Sequence, residues 1–217
     1  MIDFHTHSLL SDGELLPSEL VRRAAVKGYQ ALAITDHVDL SNIDWVIPRL
    51  VKDCSELMKH FQLKIIPGAE LTHVPPESMK PLAEEARKLG AKIVIAHGET
   101  IVEPVAPQSN LRALESAIDI LAHPGLITEK EVRLAKENGI MLEISARKGH
   151  CLTNGHVAKL ALKVGAGLLL NTDAHSPDDL ITLDRARQIA QGAGLNEEDF
   201  SQLRANAMEL VKKRTGF

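Results

Sequence analysis

The sequence predicts an α/β fold in which a parallel β-sheet, closed into a barrel, is wrapped by helices. Three observations predict it. Seven short β-rich apolar runs alternate with longer segments of helical period along the 217 residues, the order that yields strand–helix–strand units and a parallel sheet. Several of these runs are apolar almost throughout, as strands buried on both faces are. The first and last runs also end in matched polar pairs, His5-Thr6-His7 and Asp173-Ala174-His175. Residues i and i+2 of a strand share a face, about 6–7 Å apart. Seven units suit a closed barrel or an open doubly wound sheet. Closure would bring the two pairs together, which favours the barrel.

The strand candidates are residues 2–5, 31–35, 64–67, 92–96, 118–122, 140–145 and 167–172. Between them, helical segments cover 17–27, 48–61, 79–89, 110–116, 129–138, 154–164 and 176–191, and an amphipathic segment over 197–213 closes the chain. Pro17 and Ser18 open the first helix, and Thr128 ahead of Glu129-Lys130-Glu131 reads as an N-cap. Gly28, Gly90, Gly139 and Gly165 stand where helix-terminating glycines belong. No linker, repeat or low-complexity stretch divides the chain, so residues 1–217 are expected to form one domain.

Composition narrows the function. A net charge of −4 and 3% aromatic residues offer neither a basic surface nor stacking platforms, so a nucleic-acid partner is not expected. No run approaches the ~20 apolar residues that span a membrane, and no signal-peptide core is visible, which makes a cytoplasmic location the expectation. Cys54 and Cys151 form no CxxC pair and read as reduced thiols. The ten histidines are the unusual feature.

They cluster at strand ends. The seven runs finish in His5-Thr6-His7, Asp36-His37, Gly68-Ala69-Glu70, His97, His123, the stretch up to Arg147, and Asp173-Ala174-His175. Active sites of barrels and open α/β sheets are built at that edge. Six imidazoles and several carboxylates gathered there would be costly to bury without a compensating ion. Imidazole and carboxylate without thiolate suit catalytic Zn, Mn or Fe. The ligands outnumber what one ion uses, so at least two ions are expected, with Glu70 a natural bridge.

These residues also match a family. His5-Thr6-His7-Ser8, Ser11-Asp12-Gly13, Ile34-Thr35-Asp36-His37, Pro67-Gly68-Ala69-Glu70, Ala122-His123-Pro124 and Asn171-Thr172-Asp173-Ala174-His175 resemble, in order, the motifs of the PHP (polymerase and histidinol phosphatase) family. The resemblance implies a distorted seven-stranded (β/α)7, TIM-like barrel with two to three divalent ions. It implies His5, His7, Glu70 and Asp173 for the first ion, with Glu70 bridging to a second held by His97 and His123. Asp12, His37 and His175 would hold the third, although Ser11-Asp12-Gly13 also reads as a plain turn.

Beyond the motifs, Asp3 shares the strand parity of His5 and His7 and is expected to point inward, either supporting a ligand histidine or serving as a simple buried polar residue. Arg147 could clamp a phosphate with its planar fork, and Lys148 is a weaker version of the same idea. Glu143 lies inside a strand and implies an interior partner that the sequence does not name. His73, His150 and His156 read as rim or surface residues, and His60 as an exposed residue near a helix end. Among the loops, 102–107, Val-Glu-Pro-Val-Ala-Pro, is stiff enough to wall a pocket or simply to bridge two elements.

The function expected is a metal-dependent phosphoesterase that hydrolyses a small phosphate mono- or diester with a metal-activated hydroxide. Glu70, Asp173 and Arg147 are the candidate catalytic residues. Two alternatives are an amidohydrolase-like C–N hydrolase and a non-catalytic metal-binding regulatory module. The first is weakened because Ala96-His97-Gly98 supplies no lysine for a bridging carbamate, the second because no expected ligand is missing. Oligomeric state is not legible.

Overall fold

The computed structural model describes residues 1–216. The strands are β1 (Ile2–Asp3), β2 (Ala31–Ile34), β3 (His37–Val38), β4 (Lys64–Leu71), β5 (Ile93–His97), β6 (Ile120–Ala122), β7 (Met141–Ser145) and β8 (Leu168–Asn171). All pairings are parallel, in the order β1-β2-β4-β5-β6-β7-β8, with β3 also on β4. Because β2 and β3 both pair with β4, they form one interrupted strand, and the sheet has seven positions. The helices are α1 (Pro17–Val26), α2 (Ile43–Leu57), α3 (Met79–Lys88), α4 (Ser109–Leu114), α5 (Glu129–Asn138), α6 (Asn154–Val164), α7 (Leu183–Gly192) and α8 (Glu197–Thr215). This is the expected (β/α)7 TIM-like barrel, nearly closed.

Its distortion lies at the seam between β1 and β8. A full ladder is replaced there by one parallel bridge, Thr6 to Ala174, and by side chains. Asn171 Oδ1 accepts the Phe4 N–H at 3.0 Å. Asp3 Oδ1 accepts the Thr172 N–H at 3.2 Å and Asp3 Oδ2 the Thr172 hydroxyl at 2.6 Å.

Alternation along the strands divides the interior into two layers. Inward positions run Ile66, Gly68, Glu70 on β4 and Ile93, Ile95, His97 on β5; those of β8 run from Leu169 through Asn171 toward Asp173. The lower members pack with Phe4, Ala31, Ala33, Ile120 and Ala122 into an apolar plug, sealed from below by Ala207, Leu210 and Val211 of α8. The opposite strand face, including Ile65, Val94, Leu121, Leu142 and Leu170, packs against the helices. The upper members of the inward face are polar and buried.

Several boundaries differ from expectation. β4 continues to Leu71 because its neighbours change along it: β2 pairs with Lys64 through Pro67, β5 with Gly68 through Leu71. Pro67, lacking an N–H, sits where the pairing switches. Helix α2 begins at Ile43, five residues before Pro48, which the helix carries inside it. The segment 176–191 is two elements. A 3-10 turn, Pro177–Asp179, is capped by Ser176, and Leu180 is extended before Thr182 caps α7. Among the described residues no helix is long and apolar enough to cross a membrane. Cys54 is buried, Cys151 is half-buried, and both are free.

Candidate metal centre

The upper layer brings all nine expected ligands together at the C-terminal ends of the strands, where Asp12, His37, His97, His123, Asp173 and His175 line a cavity and His5, His7 and Glu70 are buried. His5 Nε2 lies 3.3 Å from Glu70 Oε1 and 3.6 Å from Asp173 Oδ1, and His7 Nε2 lies 3.3 Å from Asp173 Oδ1 and 3.7 Å from Glu70 Oε2. Glu70 Oε1 is also 3.8 Å from His123 Nε2, and the ligand atoms of Glu70, His97 and His123 lie within 4.8 Å of one another. Asp12 Oδ1, His37 Nε2 and His175 Nε2 form a nearly equilateral triangle with sides of 3.2, 3.3 and 3.4 Å. Ligands held about 2.0–2.1 Å from one ion at tetrahedral angles stand about 3.3–3.4 Å apart. The triangle has the dimensions of such a set.

The backbone works to aim these groups. His123 follows the inward Ala122, so alternation alone would turn it outward; its φ of 26° turns it back. Asp173 sits at φ 53° and His73 at 51°. The loops carrying His97 and His123 approach closely because two glycines stand between them. A Cβ at Gly98 would meet Ala122 O at 2.2 Å, and one at Gly125 would meet Glu99 O at 1.8 Å. Only glycine allows that contact.

Hydrogen bonds outside the ligand sets fix ring orientation. Glu143 Oε2 lies 2.8 Å from His5 Nδ1 and accepts Asn171 Nδ2 at 3.0 Å. Glu143 therefore takes the supporting role that was open to Asp3: the Asp3 carboxylate takes the His5 backbone N–H and closes the barrel seam. His97 Nδ1 faces Gly98 O at 3.1 Å, which leaves Nε2 for the cavity. Asp36, within the Thr35-Asp36-His37 stretch, carries no ligand role. It accepts the Ser8 N–H, the Ser8 hydroxyl and the Ser11 hydroxyl, holding the loop that presents Asp12.

Whether these residues suit metal ions can be judged from the atoms left over. His5 Nε2, both His7 ring nitrogens, Glu70 Oε1, His123 Nδ1 and Glu143 Oε1 are buried without a hydrogen-bond partner. Each such group costs about 1–3 kcal/mol; together they are a large liability for a fold to keep, and cations resolve it for the ligand atoms. Electrostatics agree. Against the cost of burial, Glu70, Glu143 and Asp173 hold the His5 pKa well above its ordinary value. Against burial, Glu70 and Asp12 push His37 up to about 10. Burial and neighbouring imidazoles drive His7 and His123 well below theirs. The site, in other words, draws positive charge in and leaves imidazoles free to ligate. Donor chemistry and geometry both fit divalent ions.

Two further residues enter the cavity that sequence reasoning placed elsewhere or passed over. His150, expected at the rim, is 5% exposed and stacks on His123 with ring centroids 4.1 Å apart. Its Nδ1 meets Thr100 Oγ1 at 2.9 Å, which aims Nε2 at Glu103 Oε1, 3.2 Å away. Glu103, from the stiff 102–107 segment, also reaches His97 and His73, so that segment does wall the pocket. His73 is on the rim as expected. His60 and His156 lie apart, against Glu56 and Ile127 O. Arg147 stands beside the third set: Nη1 donates to Asp173 O at 3.1 Å and lies 2.8 Å from His175 Nδ1. The cavity measures about 210 Å³, and its walls, among them Asp12, Thr72, His97, Glu103, His123, Arg147 and His150, carry no large apolar side chain.

Comparison with known proteins identifies relatives of the chain and of its fold. The PHP domain family model matches residues 3–103. An uncharacterized protein of Methanocaldococcus jannaschii, MJ1295, is 47% identical over 214 residues, covering 97% of this chain and 98% of that one. A probable phosphatase of Thermoanaerobacter sp. is 27% identical over 227 residues, covering 91% of this chain and 88% of its own. A chain in the structure of archaeal ribonuclease P with mature tRNA superposes with a TM-score of 0.76 at 15% identity, covering 98% of this chain and 91% of that one, a likeness of fold alone. With its ordered motifs and the family match in hand, the chain belongs to the PHP domain family.

Proposed function

We propose that this chain is a metal-dependent phosphoesterase acting on a small phosphate ester. The observation that carries the reading is a wholly polar cavity in which three ligand sets meet with Arg147 at their edge. His5, His7, Glu70 and Asp173 would hold a first ion, Glu70, His97 and His123 a second, and Asp12, His37 and His175 a third, with Zn, Mn or Fe suited to the donors. When bound, such ions act as Lewis acids and lower the pKa of coordinated water to about 7, supplying a nucleophile at neutral pH.

The chain's own residues do the rest. Arg147 presents a planar donor fork that matches phosphoryl oxygens. Asp179, 3.9 Å from Arg147 Nη1, and Asp173 O orient that fork. Asp12, Glu70, Glu103 and Asp173 would repel a phosphate dianion if left uncompensated, so substrate binding itself depends on the ions. The phosphatase name of a relative aligned over nine-tenths of this chain supports the same chemistry.

The test is metal analysis of purified protein, then a panel of phosphomonoesters and phosphodiesters with added Mn or Zn, in wild type and His7→Ala. Loss of both bound metal and turnover in His7→Ala is the expected result. Turnover undiminished in that variant would overturn the reading.

A further inference from the structure

We propose that His73, His97 and Glu103 form an outer site for a divalent transition-metal ion at the cavity mouth, sharing His97 with the inner set of Glu70 and His123. The second ion then passes between two positions by way of one imidazole. The inference rests on the inner sets being metal ligands, and it adds two residues that belong to none of them.

Geometry defines the outer site. Glu103 Oε2 lies 3.0 Å from His97 Nε2 and 3.1 Å from His73 Nε2, and the three ligand atoms fall within 4.8 Å of one another. These separations match neighbouring ligands on one ion bound at about 2.1 Å with the near-right angles of octahedral coordination. Two imidazoles and a carboxylate are also the donor mix of catalytic zinc sites. Glu103 is held in place from its other side, since Oε1 faces His150 Nε2 at 3.2 Å.

Sharing follows from the ring of His97, a member of both groups. Its Nδ1 is engaged by Gly98 O, so Nε2, which faces Glu103, is the nitrogen left to ligate, and it offers a single lone pair. One ion at a time can use it. The outer ligands are the accessible ones, His73 being 41% and Glu103 36% exposed, whereas His97 is 4% exposed. An ion arriving from solvent would meet Glu103 and His73 first and exchange them for Glu70 and His123 while His97 stays attached. At no stage would it lie in the buried interior without protein ligands, the state that costs most.

The experiment follows Co²⁺ binding to the full-length metal-free protein by visible absorption, at equilibrium and by stopped flow. Glu103→Gln and His73→Ala, both at exposed positions, are compared with wild type. The expected result is unchanged Co²⁺ stoichiometry at saturation with loading of one ion slowed at least about tenfold, the scale on which a charged funnel alters association. Wild-type loading in both variants would overturn the proposal, leaving Glu103 a hydrogen-bond acceptor only. Loss of one ion at saturation would also overturn it, making Glu103 a fixed ligand. Absence of Co²⁺ binding by wild type would remove the inner sets as well, a result separate from anything the ester panel shows.

Discussion

His5 and Glu143, 138 residues apart, meet inside the barrel at 2.8 Å, imidazole Nδ1 to carboxylate Oε2, both fully buried. The contact fixes the ring so that Nε2 faces Glu70 and Asp173. A proton on Nδ1 makes Nε2 the basic nitrogen, and a carboxylate partner strengthens it as a ligand.

Glu143→Gln keeps the shape and removes the charge. It is expected to weaken metal binding about 10–100-fold with little change in fold, measured by competition with a chromogenic chelator. Unchanged affinity would reduce Glu143 to a packing role.

Arg147→Ala is expected to lower kcat/KM for a phosphomonoester about 10²–10³-fold, the scale of one lost charge-stabilising donor, while metal content stays at the wild-type level. Arg147→Lys restores charge without the fork and should recover only part of the loss. Initial-rate kinetics beside metal analysis decide it. Equal activity in all three proteins would remove Arg147 from the reaction.

Asp3 gives the fold a pH dependence. Burial raises its pKa to about 6, against the opposing hydrogen bonds from Thr172 and His5. Between about pH 4 and 6 the folded state holds a proton that the unfolded chain has released, so this residue's contribution to stability falls as pH rises through that window, by about 3 kcal/mol in all. Asp3→Asn can keep the bonds, because the Thr172 hydroxyl can turn to accept. Its stability relative to wild type in urea unfolding is expected to grow from pH 4 to 6 and then level off. A gap constant across that range would contradict the assignment.

At the opposite end of the barrel, Asp119 accepts the Val94 N–H at 2.9 Å, Arg87 Nη2 at 2.5 Å and Arg214 Nε at 2.6 Å. It ties α3 and α8 to the start of β6. Asp119→Ala leaves a buried N–H and two guanidinium groups without their partner and is expected to cost about 2–4 kcal/mol, discounted for the partial exposure of both arginines. Denaturant unfolding measures it. Ester hydrolysis at low temperature should be unaffected, since the change is remote from the cavity.

Much of this was legible in the sequence because period-two alternation ends several inward strand faces in a residue that chemistry makes conspicuous. Ile93, Ile95 and His97 are the plainest instance. The sequence placed Glu103 in a candidate wall and His150 at the rim, but not their contacts with His97 and His123, since they come from loops whose course depends on contacts remote in sequence, such as Thr100 with His150. Pro48 misled as a helix start because α2 carries it in the second turn, where proline forgoes a backbone bond that it would not miss in the first turn. The supporting role weighed for Asp3 failed for a related reason. Strand parity does not carry through from Asp3 to His5: Asp3 pairs in register with Leu32 on the helix-facing side, Phe4 enters the apolar plug, and the seam claims the Asp3 carboxylate.

The backbone at His123 and Asp173, with φ at 26° and 53°, has a consequence for how this protein can change. Conformations of that kind cost about 1–3 kcal/mol each for residues other than glycine. At both positions, then, the side chain that the chemistry wants and the residue that the main chain prefers are different. Drift toward glycine would yield a sturdier but inert barrel. A heat-resistant descendant of this chain that has lost its chemistry should carry its first losses there, at the tops of two strands, with the apolar plug beneath them untouched.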